Sequence, residues 1–254
     1  MINDLWYKNA VIYCLSVGTY MDANGDGIGD FQGLMRRLDY LHGAKQRGIR
    51  GIIDLVVNHT SNEHAWFKAA RHDPHSKYRD WYVWSKQKPA HAQEGMVFPG
   101  VQKSTWSYDE QAHAWYFHRF YDFQPDLNTS HPEVQAEILK IMGFWIQLGV
   151  SGFRMDAVPF IIATKGPKVQ KPEEQYDMLR SFREFLQWRQ GDCILLMATS
   201  MANTGSSLKS MAIAGIASAA WITCFGGVRL IRARERHSEA VRRHTQKGAW
   251  GSEG

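Results

Sequence analysis

Apolar runs and helical apolar stripes alternate along the chain as far as residue 200. Runs rich in β-branched and aromatic residues, bounded by turn residues, predict strands over 10–20, 48–61, 150–160 and the start of 192–200. Apolar residues at helical spacing predict helices over 130–149 and 173–189. Strands and helices in regular succession predict a parallel α/β architecture.

Two of the predicted helices carry start signals. Ser130 and Glu133 have the spacing of a capping box, and Pro132 suits the first turn. The buried face of this helix is predicted to hold Val134, Ile138, Ile141 and Trp145. A shorter stripe follows Asp30, which stands at an N-cap position, and consists of Phe31, Leu34, Leu38 and Leu41.

The segment 62–128 has no sustained period and is rich in aromatic residues and polar turns. It is too long for a loop in a compact domain, so we expect a folded insertion. Its aromatic residues Trp81, Tyr82 and Trp84 could stack on the rings of a ligand, but the core of the insertion is the favoured interpretation. The predicted division is a main α/β domain over 1–61 and 129–200, the insertion over 62–128, and an aberrant basic tail over 201–254.

Composition indicates a globular protein, with 254 residues of which 44% are hydrophobic and 22% charged. Three scattered cysteines argue against a disulfide framework, and the first residues do not resemble a signal peptide, so a cytoplasmic location is expected. The tail from Met201 holds eight Lys and Arg against three acids, which accounts for the whole net charge of +5. The balanced remainder gives no indication of nucleic-acid binding.

The tail also contains an uncharged stretch over 210–228, followed by basic residues. This pattern is a candidate membrane span. Much of the stretch is Ala, Gly, Ser and Thr, which insert weakly, so a poorly ordered tail and no membrane association are the favoured interpretation.

Polar residues follow two of the apolar strands. Asp54, Asn58 and His59 lie at the end of DLVVNH, and Arg154 and Asp156 lie two apart in GFRMDAV, so that both point to one face. Each motif also has a purely structural alternative: the first would consist of polar residues that end a strand, and the second would be an ion pair that stabilises the fold. However, a cation beside an aspartate keeps it ionised, as a nucleophilic carboxylate requires.

The stretch DANGDGIGD places oxygen-bearing side chains at alternating positions among glycines, in Asp22, Asn24, Asp26 and Asp30. Such a pattern suits Ca²⁺, a hard cation. An EF-hand is excluded because Gly33 stands where the final glutamate would be. A solvated acidic turn is the alternative.

Together these motifs resemble glycoside hydrolase family 13, the α-amylase superfamily, over about residues 5–196. DLVVNH and GFRMDAV resemble its first two signatures, and QPDLN (124–128) resembles the signature between them. The form of QPDLN resembles the branch that contains oligo-1,6-glucosidase, α-glucosidase and trehalose synthase.

The resemblance implies a partial TIM (β/α)₈ barrel with a small insertion domain after strand 3. It implies that Asp156 is the nucleophile of a retaining reaction on an α-glucoside sugar such as maltose or trehalose, with Arg154, His59 and Asp54 supporting substrate binding. It also implies Ca²⁺ at Asn58, and at the loop 22–30 through its four polar side chains and the carbonyl of Ile28.

The chain departs from the family at three places. The sequence after LHG (41–43) lacks about one strand and helix, ILLMATS places Ala198 at the general-acid position, and no aspartate follows Asp192. An altered reading frame is our hypothesis for the tail. The alternative function is therefore a catalytically inactive remnant that binds sugar or Ca²⁺ weakly.

Overall fold

The computed structural model describes residues 6, 11–12, 17–37, 39–40, 43, 49–98, 100–169, 176–197 and 231–232. Contacts divide the chain into two compact units, one formed by 1–51 with 224–254 and the other by 52–223. The three-part division expected from the sequence stays a prediction.

The described strands are β1 (Val11–Ile12), β2 (Ile52–Leu55), β3 (Trp84–Ser85), β4 (Trp106–Asp109), β5 (Ala114–Phe117), β6 (Gly152–Met155), β7 (Ile194–Met197) and β8 (Ile231–Arg232). The described α-helices are α1 (Val17–Tyr20), α2 (Phe31–Met35), α3 (Ala65–His72), α4 (Pro132–Gln147), α5 (Val158–Ile161) and α6 (Asp177–Arg189). A 3₁₀ turn covers Arg79–Trp81.

In the first unit, β1 pairs antiparallel with β8. The strand expected over 10–20 is wrong at its end, because Val17–Tyr20 is helical. The predicted cap of α2 is confirmed, since Asp30 Oδ1 accepts a 2.6 Å hydrogen bond from the Gly33 N–H. Phe31 is 69% exposed, so the stripe does not bury its first residue. Leu38 and Leu41 lie outside the described residues.

The second unit is built on a parallel sheet with the strand order β2-β6-β7. Their sequences IIDL, GFRM and ILLM are mostly apolar, as is typical of parallel strands. The predicted parallel α/β architecture is confirmed. Among the described residues the sheet is open, with three parallel strands and no closed barrel.

The helices α4 and α6 pack with this sheet in one hydrophobic cluster. Phe153 and Met155 of the central strand are completely buried there. The helices contribute Val134, Ile138, Met142, Met178, Leu179, Phe182 and Leu186. This continuous core fixes the central strand, and with it the residues that follow the strand.

The capping box predicted for α4 is wrong. His131 caps the helix instead, because its Nδ1 accepts a 3.3 Å hydrogen bond from the Glu133 N–H, and the helix starts at Pro132. The Glu133 carboxylate accepts a 3.2 Å hydrogen bond from Trp81 Nε1. The glutamate therefore joins the helix to the segment 62–128.

The segment 62–128 contains α3 and an antiparallel sheet with the order β3-β5-β4. Trp81 and Tyr82 are buried, and Trp84 stacks on Phe67 with ring centroids 5.5 Å apart. The interpretation of these aromatic residues as core is confirmed. They belong to the same hydrophobic cluster as the parallel sheet.

None of the helices in the described ranges has the length and apolarity needed to cross a membrane. The stretch 210–228 lies outside those ranges.

Candidate active site

The strands β2 and β6 bring Asp54 and Arg154 side by side. In the parallel register Asp54 pairs with Arg154, so their side chains leave the sheet on the same face. Asp156 comes one residue after the end of β6. The carboxyl ends of parallel strands are where α/β folds place their sites, and the three side chains meet there.

Arg154 bridges two carboxylates. Its Nη1 lies 3.0 Å from Asp54 Oδ1, and its Nη2 lies 3.4 Å from Asp156 Oδ1. The arginine side chain is 21% exposed, whereas the Asp156 side chain is 47% exposed. The guanidinium is therefore fixed within the protein, while the Asp156 carboxylate remains open to a ligand.

The backbone turns sharply directly after Asp156. Ala157 has a φ of +57°, in the left-handed region that residues other than glycine adopt at a cost. The short helix α5 starts at the next residue. This turn separates Asp156 from α5 and leaves its carboxylate at the strand end.

His59 follows β2 and lies against the ring of Phe120, with centroids 5.3 Å apart. Burial lowers the pKa of His59, and the Lys165 charge lowers it further, while Asp126 and Asp156 oppose both effects. The imidazole is therefore neutral around pH 7 and can exchange hydrogen bonds with a sugar hydroxyl. The imidazole follows β2 closely in the chain and so lies toward the carboxyl end of the parallel sheet.

A buried ion pair lies beside these residues. Lys165 Nζ is 2.9 Å from Asp126 Oδ2, and both side chains are almost completely buried. The ammonium also donates to Asn58 Oδ1 and to the Leu127 carbonyl, each at 2.9 Å. Lys165 thus joins the end of β2, the QPDLN segment and the chain after Asp156. No local sequence signal marks this lysine, and the sequence analysis missed it.

This arrangement does not fit a metal ion at Asn58. The oxygen atoms of Asn58 and Asp126 that a cation would use already contact the Lys165 ammonium. A second positive charge there would meet direct repulsion in a buried setting. The lysine supplies the positive charge at this position.

The loop 22–30 lies in the other unit and is held by its own side chains. Asp22 accepts hydrogen bonds from the N–H groups of Gly25 (2.6 Å) and Gly27 (2.8 Å), which hold the pKa of Asp22 below its ordinary value. Both glycines have a positive φ, near +85°, as such tight turns require. Across the described part of the chain, no three His, Cys, Asp or Glu side chains converge as a metal site.

The structure therefore brings together Asp54, Arg154 and Asp156, with His59 in their neighbourhood. The loop 22–30 belongs to the other unit. Ala198 lies outside the described residues, directly after β7.

Comparison with known proteins identifies the family. The family model described as "Alpha amylase, catalytic domain" matches residues 41–209. The chain is 38% identical to a trehalose synthase of Thermus thermophilus, over 78% of this chain and 25% of that protein. It is 34% identical to an oligo-1,6-glucosidase of Bacillus cereus, over 67% of this chain and 38% of that protein.

Solved structures agree with the sequence comparison. A family GH13_31 enzyme matches with a TM-score of 0.63 and 26% identity, over 80% of this chain and 49% of that chain. An isomaltulose synthase of Erwinia rhapontici matches with a TM-score of 0.62 and 27% identity, over 81% and 47%. The parallel strands β2, β6 and β7 therefore form part of a TIM-barrel fold. The chain spans less than half the length of the two curated relatives named above. It belongs to the α-amylase catalytic-domain family.

Proposed function

We propose that this chain carries the nucleophile half of a retaining reaction on an α-glucoside such as maltose or trehalose. The observation that carries the proposal is the placement of Asp156. Its half-exposed carboxylate lies 3.4 Å from a guanidinium that is itself anchored to Asp54. His59 follows the same strand as Asp54, and trehalose synthases and an oligo-1,6-glucosidase are among the similar proteins.

In the proposed reaction an oxygen of Asp156 attacks the anomeric carbon. A bond forms between this oxygen and the carbon, while the bond to the leaving oxygen breaks and its electron pair stays on that oxygen. A poor leaving group such as a sugar alkoxide needs a proton at this moment, and a second carboxyl group ordinarily supplies it. The resemblance to the family places Ala198 at the position of this second carboxyl group, and alanine has no proton to supply.

The second candidate function is sugar binding without turnover. Two features of the sequence favour it: Ala198 has no proton to donate, and no aspartate follows Asp192. Loss of one member of such a catalytic pair lowers the rate by several orders of magnitude. The surviving Asp156 would then act only on a donor whose leaving group departs without protonation.

An activated donor distinguishes these functions. α-Glucosyl fluoride needs no proton on its leaving group, so we expect the intact protein to gain the mass of one glucosyl group. Asp156→Asn should abolish the gain, and Asp177→Asn, a change at an exposed aspartate paired with Arg180, should not. Azide should then release α-glucosyl azide from the labelled protein. Absence of labelling would contradict the proposal, and steady turnover of maltose would contradict the binding-only alternative.

We further propose that the loop 22–30 binds Ca²⁺. The ligands would be Asp22, Asn24, Asp26, Asp30 and the Ile28 carbonyl. Support comes from the oxygen chemistry of these groups and from the glycine turns between them. Calorimetric titration should detect Ca²⁺ binding that Asp26→Asn weakens and Asp39→Asn leaves unchanged. Equal binding by the wild type and Asp26→Asn would contradict this assignment.

The cytoplasmic location expected from the sequence stays a prediction.

A further inference from the structure

A small cavity lies between the segment 62–128 and the chain that follows α5. Its volume is about 190 Å³. Pockets that hold drug-sized ligands are larger, at about 300–1,000 Å³, so this cavity suits an ion or a molecule of few atoms rather than an oligosaccharide. We call it the Arg119 cavity, and its polar lining residues include Glu94, Thr105, Arg119, Thr164 and Lys165.

The guanidinium of Arg119 is held in one position. Its Nη1 donates a 2.8 Å hydrogen bond to the Gly95 carbonyl. Its Cζ lies 5.1 Å from the ring centroid of Phe117 and 5.4 Å from that of Phe160. A Cβ atom at Gly95 would clash with Nη1, so the absence of a side chain there permits this close approach. The cation is therefore fixed before any ligand arrives.

One hydrogen-bond donor of this fixed guanidinium is left over. Arg119 Nε is buried and has no hydrogen-bond partner among the residues that the structure describes. A buried N–H without a partner is costly, and native proteins ordinarily supply one. The planar fork of an arginine matches the oxygen atoms of phosphate and carboxylate groups. The partner that fits Arg119 Nε is therefore an anionic oxygen.

The charges around the Arg119 cavity are unequal. Burial lowers the pKa of both Arg119 and Lys165, and the charge of Asp126 opposes this effect at both cations. Asp126 already forms the 2.9 Å ion pair with Lys165, so one carboxylate serves two cations. Glu94 also lines the cavity, but its side chain is 68% exposed and pairs with His91. One positive charge is thus left for a bound anion to neutralise.

We propose that the Arg119 cavity binds a small oxyanion, with the Arg119 guanidinium as its charged contact. The bound anion would accept the hydrogen bond that Nε cannot make within the protein. It would also join the segment 62–128 to the chain after α5, because the cavity is lined from both sides. An anion that binds only the folded chain raises its stability, so the melting temperature should rise with anion concentration until the site is full.

The test is calorimetric titration of the full chain with inorganic phosphate, at a fixed ionic strength set by sodium chloride. Arg119→Gln should weaken phosphate binding at least about tenfold and abolish the rise in melting temperature. Arg119→Lys should be intermediate, because it keeps the charge and loses the fork. Arg79→Gln is the matched control, since Arg79 also lies over a ring, that of Trp84, and donates a 2.8 Å hydrogen bond to a carbonyl, that of Ala70. Phosphate binding by Arg79→Gln should equal that of the wild type.

Several outcomes would overturn the oxyanion site. One is the absence of saturable phosphate binding by the wild type, which would also result if chloride filled the cavity equally well. Another is wild-type affinity in Arg119→Gln, or equal weakening in Arg119→Gln and Arg79→Gln. If neither Arg119 variant melts cooperatively, the guanidinium serves the fold alone and the proposal fails. None of these results depends on the labelling of Asp156, so the proposed function is tested separately.

Discussion

Two charged clusters, the pairs that Arg154 makes and the pair that Lys165 makes, differ in what surrounds them. Arg154 contacts the carboxylates of Asp54 and Asp156, and both carboxylates remain about half exposed. Lys165 contacts Asp126, and neither side chain reaches water. A carboxylate that water reaches can also be reached by a ligand, whereas a buried pair holds segments together. This difference indicates a role in the reaction for Arg154 and its carboxylates, and a role in positioning the backbone for Lys165 and Asp126.

The largest expected effect is on the buried pair. Lys165→Met leaves the Asp126 charge buried without its partner, so the free energy of unfolding should fall by about 3–5 kcal/mol in urea denaturation. Lys140→Met is the control. Lys140 pairs with Glu137 at the surface, and its loss should change stability by about 0.5 kcal/mol or less. If Lys165→Met lowers the free energy of unfolding by less than about 1 kcal/mol, the buried pair would not differ from a surface pair in its contribution to stability.

At Arg154, in contrast, substitution should lower the reaction rate and leave stability nearly unchanged. Arg154→Met leaves two carboxylates that water can solvate, so stability should change by about 1 kcal/mol or less. The rate of Asp156 labelling by α-glucosyl fluoride should fall at least about tenfold, because the fixed cation beside the nucleophile is gone. Arg154→Lys should be intermediate, since an ammonium cannot contact both carboxylates as a fork does. Labelling at the wild-type rate would contradict the role given to Arg154.

A smaller effect is expected at the start of α4. His131→Ala removes the acceptor for the Glu133 N–H and should lower the free energy of unfolding by about 1 kcal/mol. His131→Asn should retain most of the stability because asparagine also caps helices. Equal losses in both variants would show that the ring, rather than its acceptor nitrogen, matters.

The smallest expected effect is a pH dependence. Burial lowers the pKa of His59 in the folded chain below its ordinary value of 6.5. The unfolded chain therefore takes up the proton first, so the contribution of His59 to stability is complete above pH 6.5 and is lost as the pH falls through the lowered folded pKa. His59→Gln should flatten the decline of the unfolding free energy below pH 6.5. An unchanged slope would contradict the burial of this imidazole.

The placement of Arg154 and Asp156 on one face at a strand end could be predicted because it follows from local pattern. Two apolar strands in a parallel sheet meet at their carboxyl ends, and the two-residue spacing of Arg154 and Asp156 sets a common face. The burial of Trp81 and Tyr82 also follows from composition, since a compact segment needs a core.

The features that could not be predicted from the sequence depend on contacts between distant parts of the chain. Lys165 is 107 residues from Asn58 and 38 from Leu127, and no spacing rule connects them. Phe98 likewise stacks on Tyr121, which comes later in the chain. The helix at Val17–Tyr20 contains β-branched and aromatic residues, so tertiary context overrode their strand preference.

The most direct test of the central claim is the position of a trapped glucosyl group. After reaction with α-glucosyl fluoride, the protein is digested and its peptides are sequenced by mass spectrometry. We expect the glucosyl group on Asp156 and on no other carboxylate. A glucosyl group on Asp54 or Asp126, with Asp156 unmodified, would contradict the assignment of Asp156 as the exposed nucleophile.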